Sequence, residues 1–415
     1  METKAGRQRY LLGIWIAMGV LTPVLGFLGA RGFAPAVGVM GLLCLPFARP
    51  TRQDWIGIGL LLALTIWAGV SAFWSPAAPD LHGVHSLKQL ERFTAVHMGL
   101  QVLLSSSFIV AAARLRDETA ERSLNWLGYG LVALAAILVV EGMTQAAVYQ
   151  RLQGVIGESV RPDLAVRNVA VGGYVLAALI WPVSVTLWRE GRKRLVYALA
   201  AAVAFSTVFL RGDSPTIALV ISAVVFLVVF KIGRRAVLAM GGLAAAYFLA
   251  TPWAMLALEQ AGVFAGIRNH LPASWGARLD IWAFTNARLT EQPLLGWGLD
   301  ASRMFPGEIH LHPHDGAVQI WFELGAAGAI LAAAFWAFIF WRIAQDAQMR
   351  LFAATACATA TVYLVIGAIS FSLWQEWWIC LGALALAACV ALRRFIGNPV
   401  EDWTTIHSGE PSRSA

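Results

Sequence analysis

The chain has 415 residues, of which 59% are hydrophobic and only 13% are charged, and its mean hydropathy is +0.66. A soluble domain could not bury that much apolar surface, so the composition indicates a membrane protein. A formal net charge of +7 would suggest a nucleic-acid partner in a soluble protein. Here the basic residues flank apolar segments, as they do when they encode membrane topology, and we expect no nucleic-acid binding.

The first apolar run begins near Tyr10, behind Lys4, Arg7 and Arg9. It is about twenty residues long and lacks a small-residue cleavage site, so we expect a membrane span that is retained rather than a removed leader. The four cysteines all lie in apolar segments, which predicts neither a disulfide framework nor a zinc site.

Twelve apolar runs are long enough to cross a hydrocarbon core of roughly 30 Å. The sequence therefore predicts an all-α polytopic membrane protein with about twelve transmembrane helices, forming one integral membrane domain over residues 1–415. Only a three-residue turn separates the seventh run from the eighth, so a re-entrant pair is the alternative there. The predicted spans are 10–29, 32–48, 54–74, 92–113, 123–147, 165–188, 195–210, 214–230, 236–258, 315–341, 352–372 and 375–392.

Threading these spans from a cytoplasmic N-terminus places most of the 31 basic residues on one side. The positive-inside rule then predicts that both termini are cytoplasmic. The polar tail, residues 398–415, is predicted to be disordered.

The longest connection, residues 259–314, falls on the predicted periplasmic side, and long ordered loops usually carry function. Apolar residues recur at helical spacing over 276–292, and Pro293 ends that pattern. The sequence therefore predicts one large periplasmic loop that contains a helix followed by an irregular segment.

Ten arginines and one lysine lie on this periplasmic side, where basic residues are disfavoured. An arginine binds phosphate oxygens in a bidentate fashion, so the cluster suggests capture of a phosphate or pyrophosphate head group. The alternative is that each arginine pairs with a nearby acid or a lipid. The arginines singled out are Arg211 in the three-residue turn, Arg278 on the loop helix, Arg161 and Arg167 ahead of the sixth span, and Arg288.

The stretch EIHLHPHDG places His310, His312 and His314 at alternating positions. Three hypotheses about the role of these histidines remain open. The three rings could bind a metal together with Glu308 or Asp315, or His314 could act as a general base on a sugar hydroxyl. In the third, these are surface histidines with no role.

The acids on this side are scattered singly and contain no Asp-x-Asp pair, so we expect arginines rather than a metal ion to neutralise a leaving pyrophosphate. No cofactor is predicted. Glu323 lies within a predicted span, where either a structural hydrogen-bonding role or a direct role is open. The tryptophans near this boundary, such as Trp275 and Trp297, suit an interfacial belt or, alternatively, sugar stacking.

Three segments together resemble the O-antigen ligase and polymerase superfamily, whose members are multi-span enzymes with one large periplasmic loop. They are LRGDSPT at 210–216, ARLDIWAFTNARLTEQPLLGWG at 277–298 and HPHDGAVQIWFELGAAG at 312–328. The last is the most specific, because it places a histidine before a span that contains Gln319 and Glu323. Asp315 departs from the asparagine that is common after this histidine.

The resemblance implies a glycosyltransferase of the membrane-embedded C type in the bacterial inner membrane. Its expected reaction is metal-independent, inverting transfer of a preassembled glycan from undecaprenyl pyrophosphate to lipid A-core, during lipopolysaccharide biosynthesis. The resemblance makes His314 the catalytic base and Arg211 and Arg278 the pyrophosphate ligands. Arg161, Arg167, Arg288 and His312 join the predicted substrate-binding set. The expected partners are the lipid-linked donor, the lipid A-core acceptor and membrane lipids.

Three alternatives remain. An O-antigen polymerase would use the same donor but extend one glycan with another. A lipid-linked sugar transporter would be expected to carry an internal repeat or paired charges deep in its spans, and neither is evident. A passive lipid-binding subunit would give no reason for a histidine beside an arginine cluster.

Overall fold

The computed structural model describes residues 4–78, 93–210 and 212–396, and within them it is helical with no β-strand. This confirms the all-α prediction. Arg211 and the tail from 398 to 415 lie outside the described residues. The helices are α1 Lys4–Phe27, α2 Phe33–Cys44, α3 Arg52–Ser71, α4 Thr94–Ala112, α5 Asp117–Met143, α6 Ala147–Val155, α7 Pro162–Arg189, α8 Lys193–Leu210, α9 Asp213–Ile232, α10 Arg234–Gln260, α11 Val263–Arg268, α12 Ala273–Leu289, α13 Gly316–Gln345, α14 Arg350–Ile369 and α15 Glu376–Ile396.

Eleven helices in the described part of the chain are long and apolar enough to cross a membrane. The count differs from twelve because the second predicted span, 32–48, forms only a shorter apolar helix over Phe33–Phe47. Its α-helical part, α2, ends at Cys44, and a 3₁₀ turn follows over Leu45–Phe47. Pro46 lacks a backbone N–H and therefore cannot continue the α-helical hydrogen-bond pattern.

The two runs on either side of the three-residue turn form separate helices, α8 with 18 residues and α9 with 20 residues. Each is long enough to span a hydrocarbon core at 1.5 Å per residue. The helix lengths therefore favour two crossings over a re-entrant pair.

The long loop between α10 and α13 contains the predicted helix, α12, which begins at Ala273 and ends at Leu289, a few residues before Pro293. A short helix, α11, precedes it, and a 3₁₀ turn over Ala301–Met304 lies in the irregular part that follows. Helix α12 packs against α10 and α13. The loop is thereby held on the ends of the two helices that it connects.

Helix α13 carries the most specific sequence motif, and its first turns are fixed against α10. Pro252 inside α10 cannot donate to the carbonyl four residues earlier, at Phe248. The indole Nε1 of Trp321 on α13 donates to that carbonyl oxygen at 2.6 Å. A proline in one helix thus frees an acceptor that binds the neighbouring helix.

Helix α13 is broken at Gly325, which has φ +62° and ψ −161°, a conformation open essentially to glycine alone. The irregular segment 293–298 lies against the break, and the backbone N–H of Gly298 donates to the carbonyl of Glu323 at 2.8 Å. A Cβ added to Gly325 would lie 2.4 Å from the carbonyl oxygen of Leu294. The break therefore lets the loop segment dock on the helix backbone.

Candidate active site

His314 lies immediately before α13, and its backbone occupies the left-handed region at φ +60°. For a non-glycine residue this conformation costs roughly 1–2 kcal/mol, so surrounding contacts must hold it. Asp315 is the N-cap of α13 and accepts from the backbone N–H of Val318 at 2.9 Å. The tight turn and the cap together place the imidazole at the N-terminal end of the helix.

The protonation of the His314 ring follows from its hydrogen bond. Its Nδ1 lies 2.9 Å from the backbone carbonyl oxygen of Ser370, in the connection between α14 and α15. A carbonyl oxygen can only accept, so Nδ1 carries the proton and Nε2 of the neutral ring carries the lone pair. No described residue hydrogen-bonds to Nε2. The free nitrogen is therefore in the form that a general base requires.

The connection that holds His314 is itself held by two other elements. The hydroxyl of Ser370 donates to Ser214, at the start of α9, at 2.7 Å. Gln319 on α13 donates to the hydroxyl of Ser372 at 3.0 Å and accepts from the backbone N–H of Leu373 at 3.1 Å. The start of α9, the start of α13 and the α14–α15 connection therefore meet around His314.

His312 is 8% exposed and lies beside His314, with the two ring centroids 4.0 Å apart. Its Nδ1 accepts from the backbone N–H of His314 at 3.1 Å. Because Nδ1 is an acceptor, the proton of the neutral His312 ring is on Nε2. The two rings therefore have opposite tautomers.

Both histidines are poor proton acceptors compared with free histidine. Burial, followed by the charges of His314, Arg278 and Arg303, lowers the pKa of His312 from 6.5 to about 3. Burial also lowers the pKa of His314; the hydrogen bond to Ser370 opposes this, and the charges of Arg278, Arg167 and His310 add to it. Both rings are therefore neutral at neutral pH, and Arg278 is a described source of positive charge that acts on both of them.

Arg278 on α12 is the predicted arginine that lies deepest in this site. Its guanidinium carbon is 4.5 Å from the centroid of the Trp275 ring. Its Nη1 is buried, and no described residue hydrogen-bonds to it. Burial lowers the pKa of Arg278, while Tyr174 and Asp213 oppose that shift. A buried guanidinium nitrogen without a partner is costly, and an anionic ligand would supply one.

The other predicted arginines occupy different surroundings. Arg167 is exposed on α7, close enough for its charge to act on His314. Arg161 is exposed and binds Asp163 through two hydrogen bonds of 2.7 and 3.1 Å. Arg288 lies 3.2 Å from Glu291 and packs against the rings of Phe284, Trp297 and Phe305. Arg161 and Arg288 therefore have carboxylate partners, whereas Arg278 has none among the described residues.

The three histidines of the motif do not share one environment. His310 and Glu308 are exposed, whereas His312 is buried and Asp315 is used as a helix cap. Over residues 4–78, 93–210 and 212–396, no group of three or more His, Cys, Asp or Glu side chains is arranged to hold a metal ion.

Glu323, fully buried on α13, accepts four hydrogen bonds. Its Oε1 accepts from the Ser302 hydroxyl at 2.6 Å and from Gln319 at 3.3 Å. Its Oε2 accepts from the Trp374 indole at 2.5 Å and from the backbone N–H of Asp300 at 3.0 Å. These contacts join the long loop, α13 and the α14–α15 connection, as expected for the structural role.

Asp315, the departure from the common asparagine, is 4% exposed. Besides capping α13, it accepts from the hydroxyl of Tyr247 on α10 at 2.9 Å. Burial raises its pKa from 3.8 to about 6, and the hydrogen bonds from Val318 and Tyr247 oppose the rise. Both bonds need only a side-chain oxygen, which asparagine also provides.

Sequence reasoning missed Ser370, Ser214 and Tyr247. Ser370 acts through its backbone carbonyl, which gives no signal in side-chain identity, and it lies 56 positions from His314. Ser214 stands within the LRGDSPT segment, so its closeness to the site was open to inference, but its partner was not. Tyr247 lies in an apolar run and resembles any interfacial aromatic residue.

Residues 198–333 match the family model described as O-Antigen ligase. About a third of the chain is thus similar to the O-antigen ligase family. The matched segment includes Arg278 and His314 and ends before Ser370.

Three relatives named "Putative polysaccharide ligase" come from Rickettsia conorii, Rickettsia felis and Rickettsia typhi. They are 34%, 33% and 31% identical to the chain over 125, 125 and 121 residues. These segments cover 26%, 26% and 25% of this chain and 30%, 30% and 29% of the relatives. The chain therefore spans less than a third of the length of each curated relative.

Proposed function

We propose that this protein is an O-antigen ligase that transfers a preassembled glycan from undecaprenyl pyrophosphate to lipid A-core. In this proposal the protein is a glycosyltransferase of the bacterial inner membrane, both termini are cytoplasmic, and His314 faces the periplasm. The observation that carries the proposal is the free Nε2 of a neutral His314, together with the unpartnered Nη1 of Arg278, whose charge is close enough to act on that histidine. A base and an anion site side by side suit transfer of a sugar away from a phosphate leaving group.

The arginines divide into two groups by their partners. Arg161 and Arg288 already pair with carboxylates, so we assign the pyrophosphate to Arg278 and Arg167, together with Arg211 of the three-residue turn. Guanidinium groups bind phosphate oxygens in a bidentate fashion and stabilise the charge that develops as the pyrophosphate leaves. In this role they replace a divalent cation.

The reaction is a single displacement. The acceptor hydroxyl oxygen forms a bond to the anomeric carbon of the glycan as the bond from that carbon to the pyrophosphate oxygen breaks. Undecaprenyl pyrophosphate leaves with the electron pair, and Nε2 of His314 takes the hydroxyl proton. Attack opposite the leaving group inverts the anomeric configuration.

Transfer in vitro tests the proposal. Purified protein is mixed with undecaprenyl-pyrophosphate glycan and lipid A-core, with and without EDTA, and glycan-modified lipid is measured. Wild type is expected to form product in EDTA. His314→Ala is expected to lose about 10²- to 10⁴-fold in rate, the loss typical of a missing general base. His270→Ala, an exposed histidine of the same loop, is the matched control and should keep the wild-type rate.

Each other outcome points to a named alternative. Product that contains glycan joined only to glycan would make the protein a polymerase, since the same donor chemistry serves both reactions. Loss of all transfer in EDTA would instead favour the hypothesis that the histidines bind a metal ion. Transport of the donor across vesicles without any transfer would make the protein a transporter, and full activity in His314→Ala would remove His314 from the reaction.

The orientation can be tested separately, because all four native cysteines are buried. A single His270→Cys variant should react in intact cells with a thiol reagent that does not cross the inner membrane. Labelling only after cell lysis would reverse the proposed orientation.

A further inference from the structure

We propose that His312 is a positioning residue whose Nδ1 holds the backbone of His314 in the conformation that aims Nε2 at the acceptor. This inference rests on the proposed function and replaces the expectation that His312 binds substrate.

The local sequence leaves few ways to hold this turn. Pro313 has no backbone N–H, so the N–H of His314 is the first donor after His312. The His312 Nδ1 accepts from it at 3.1 Å. Asparagine and aspartate make the same bond, from the side chain to the backbone two residues later, in Asx turns. His312 therefore uses its ring nitrogen as an Asx-like acceptor.

The left-handed backbone of His314 explains why such a bond is needed. A residue at φ +60° returns to the common regions unless its surroundings hold it. The chain is fixed on the other side by the indole of Trp282 on α12, which donates to the carbonyl of Pro313 at 2.9 Å. His312, Trp282 and the Asp315 cap thus hold the turn around His314, and the His312 bond is the one made to the backbone N–H of His314.

The buried position of His312 also controls its charge. The groups that act on it are His314 and the cationic Arg278 and Arg303, so protonation would add a positive charge to a positive site. A proton on Nδ1 would also abolish the acceptor. A neutral, tilted ring with its centroid 4.0 Å away, by contrast, can lie beside the imidazolium that forms on His314 without repelling it.

Two substitutions separate positioning from substrate binding. The side-chain amide of asparagine reaches the place of Nδ1, whereas that of glutamine reaches the place of Nε2. If His312 positions His314, His312→Asn keeps kcat within about fivefold of wild type, whereas His312→Gln and His312→Ala lose about tenfold to a hundredfold in kcat. KM for the lipid-linked donor and for the acceptor should stay close to wild type in all three.

The pH dependence gives a second readout. Because burial lowers the pKa of His312 to about 3, the acid limb of the pH profile of kcat/KM is expected to report His314, and His312→Asn should leave that limb in place. Thermal midpoints in detergent are measured for every variant. Rescue by His312→Gln with a raised KM in His312→Asn would mean that Nε2 binds substrate. An inactive or unfolded His312→Asn, or a fully active His312→Ala, would also overturn the proposal.

Failure of the proposed function would look different. If wild type transfers no glycan, or if His314→Ala keeps its activity, the base assignment fails whatever His312 does. If His314→Ala is inactive while asparagine and glutamine at position 312 behave alike, only the positioning role fails.

Discussion

Two buried polar clusters lie at the N-terminal end of α13, and they differ in whether their hydrogen bonds are complete. Glu323 accepts four hydrogen bonds from the loop, the helix and the α14–α15 connection. The second cluster consists of His312, His314 and Arg278. No described residue hydrogen-bonds to Nε2 of His314 or to Nη1 of Arg278. Both clusters join distant parts of the chain, yet only the second has unused donors and acceptors.

The difference separates a structural cluster from a reactive one. A buried carboxylate with all its partners stabilises one arrangement of the backbone and gives a substrate nothing to bind. A buried guanidinium nitrogen without a partner is costly alone and becomes satisfied when a ligand arrives, and the free ring nitrogen can accept a proton from that ligand. Residues of the first cluster should therefore affect stability, and residues of the second should affect turnover.

The largest expected effect on stability is at Glu323. In Glu323→Leu, the Ser302 hydroxyl, the Trp374 indole and the backbone N–H of Asp300 lose their acceptor in a buried site. We expect a loss of about 3 kcal/mol in the free energy of unfolding, measured by chemical denaturation in detergent. Glu308→Gln, on the exposed part of the loop, is the control. If Glu323→Leu had normal stability and no activity, Glu323 would have a direct role in the reaction rather than a structural one.

Arg278 should show the opposite behaviour. Arg278→Gln is expected to lower kcat/KM for the lipid-linked donor by about tenfold to a hundredfold, because a charge-assisted bond to pyrophosphate is lost, with little change in stability. Arg278→Lys keeps the positive charge but lacks the planar guanidinium group, so its kcat/KM should lie between those of wild type and Arg278→Gln. Arg268→Gln is the matched control, since Arg268 already pairs with Asp280 at the surface. Equal activity in Arg278→Gln and wild type would place the pyrophosphate elsewhere.

Asp315 should give a smaller effect that depends on pH. Its pKa is about 6 in the folded protein and about 3.9 when unfolded, so its contribution to stability is lost as pH rises through the folded value. Asp315→Asn keeps the cap without the charge, so its thermal midpoint relative to wild type should rise between pH 5 and pH 8. Asp315→Ala should lose about 1 kcal/mol through the missing cap. A constant difference between Asp315→Asn and wild type across this range would argue against a raised pKa of Asp315 in the folded protein.

Arg167, besides the weaker donor binding expected of a pyrophosphate ligand, should have a small effect on the pH dependence. Its positive charge helps to lower the pKa of His314, so Arg167→Gln should raise that pKa and move the acid limb of kcat/KM to higher pH. The shift should be roughly a few tenths of a pH unit, because Arg167 is exposed and water and salt screen its charge. Arg151→Gln, another exposed arginine, should leave the limb in place. A shift to lower pH would contradict the assignment.

The sequence by itself determined the membrane class, nearly all the helices and the position of the long loop. These follow from properties that act over a few residues: the length of an apolar run, the basic residues at its ends and the residues that begin or end a helix. The helix in the loop was predicted over 276–292 and observed over Ala273–Leu289 for the same reason. The short helix α2 was the exception, because Pro46 lies inside an apolar run whose length alone suggested a span.

Only the tertiary structure decided which polar groups are satisfied. Charge and composition placed Arg161, Arg278 and Arg288 in one candidate set. Arg161 and Arg288 pair with carboxylates two and three positions away, whereas packing of the loop leaves Nη1 of Arg278 buried without a described partner and brings its charge close enough to act on His314. The tautomer of His314 depends on the Ser370 carbonyl, which helix packing brings close from 56 positions away. The hydrogen bonds of a helix are local and follow from sequence spacing. A contact between distant segments depends on how whole helices pack, and no spacing of residue types records it.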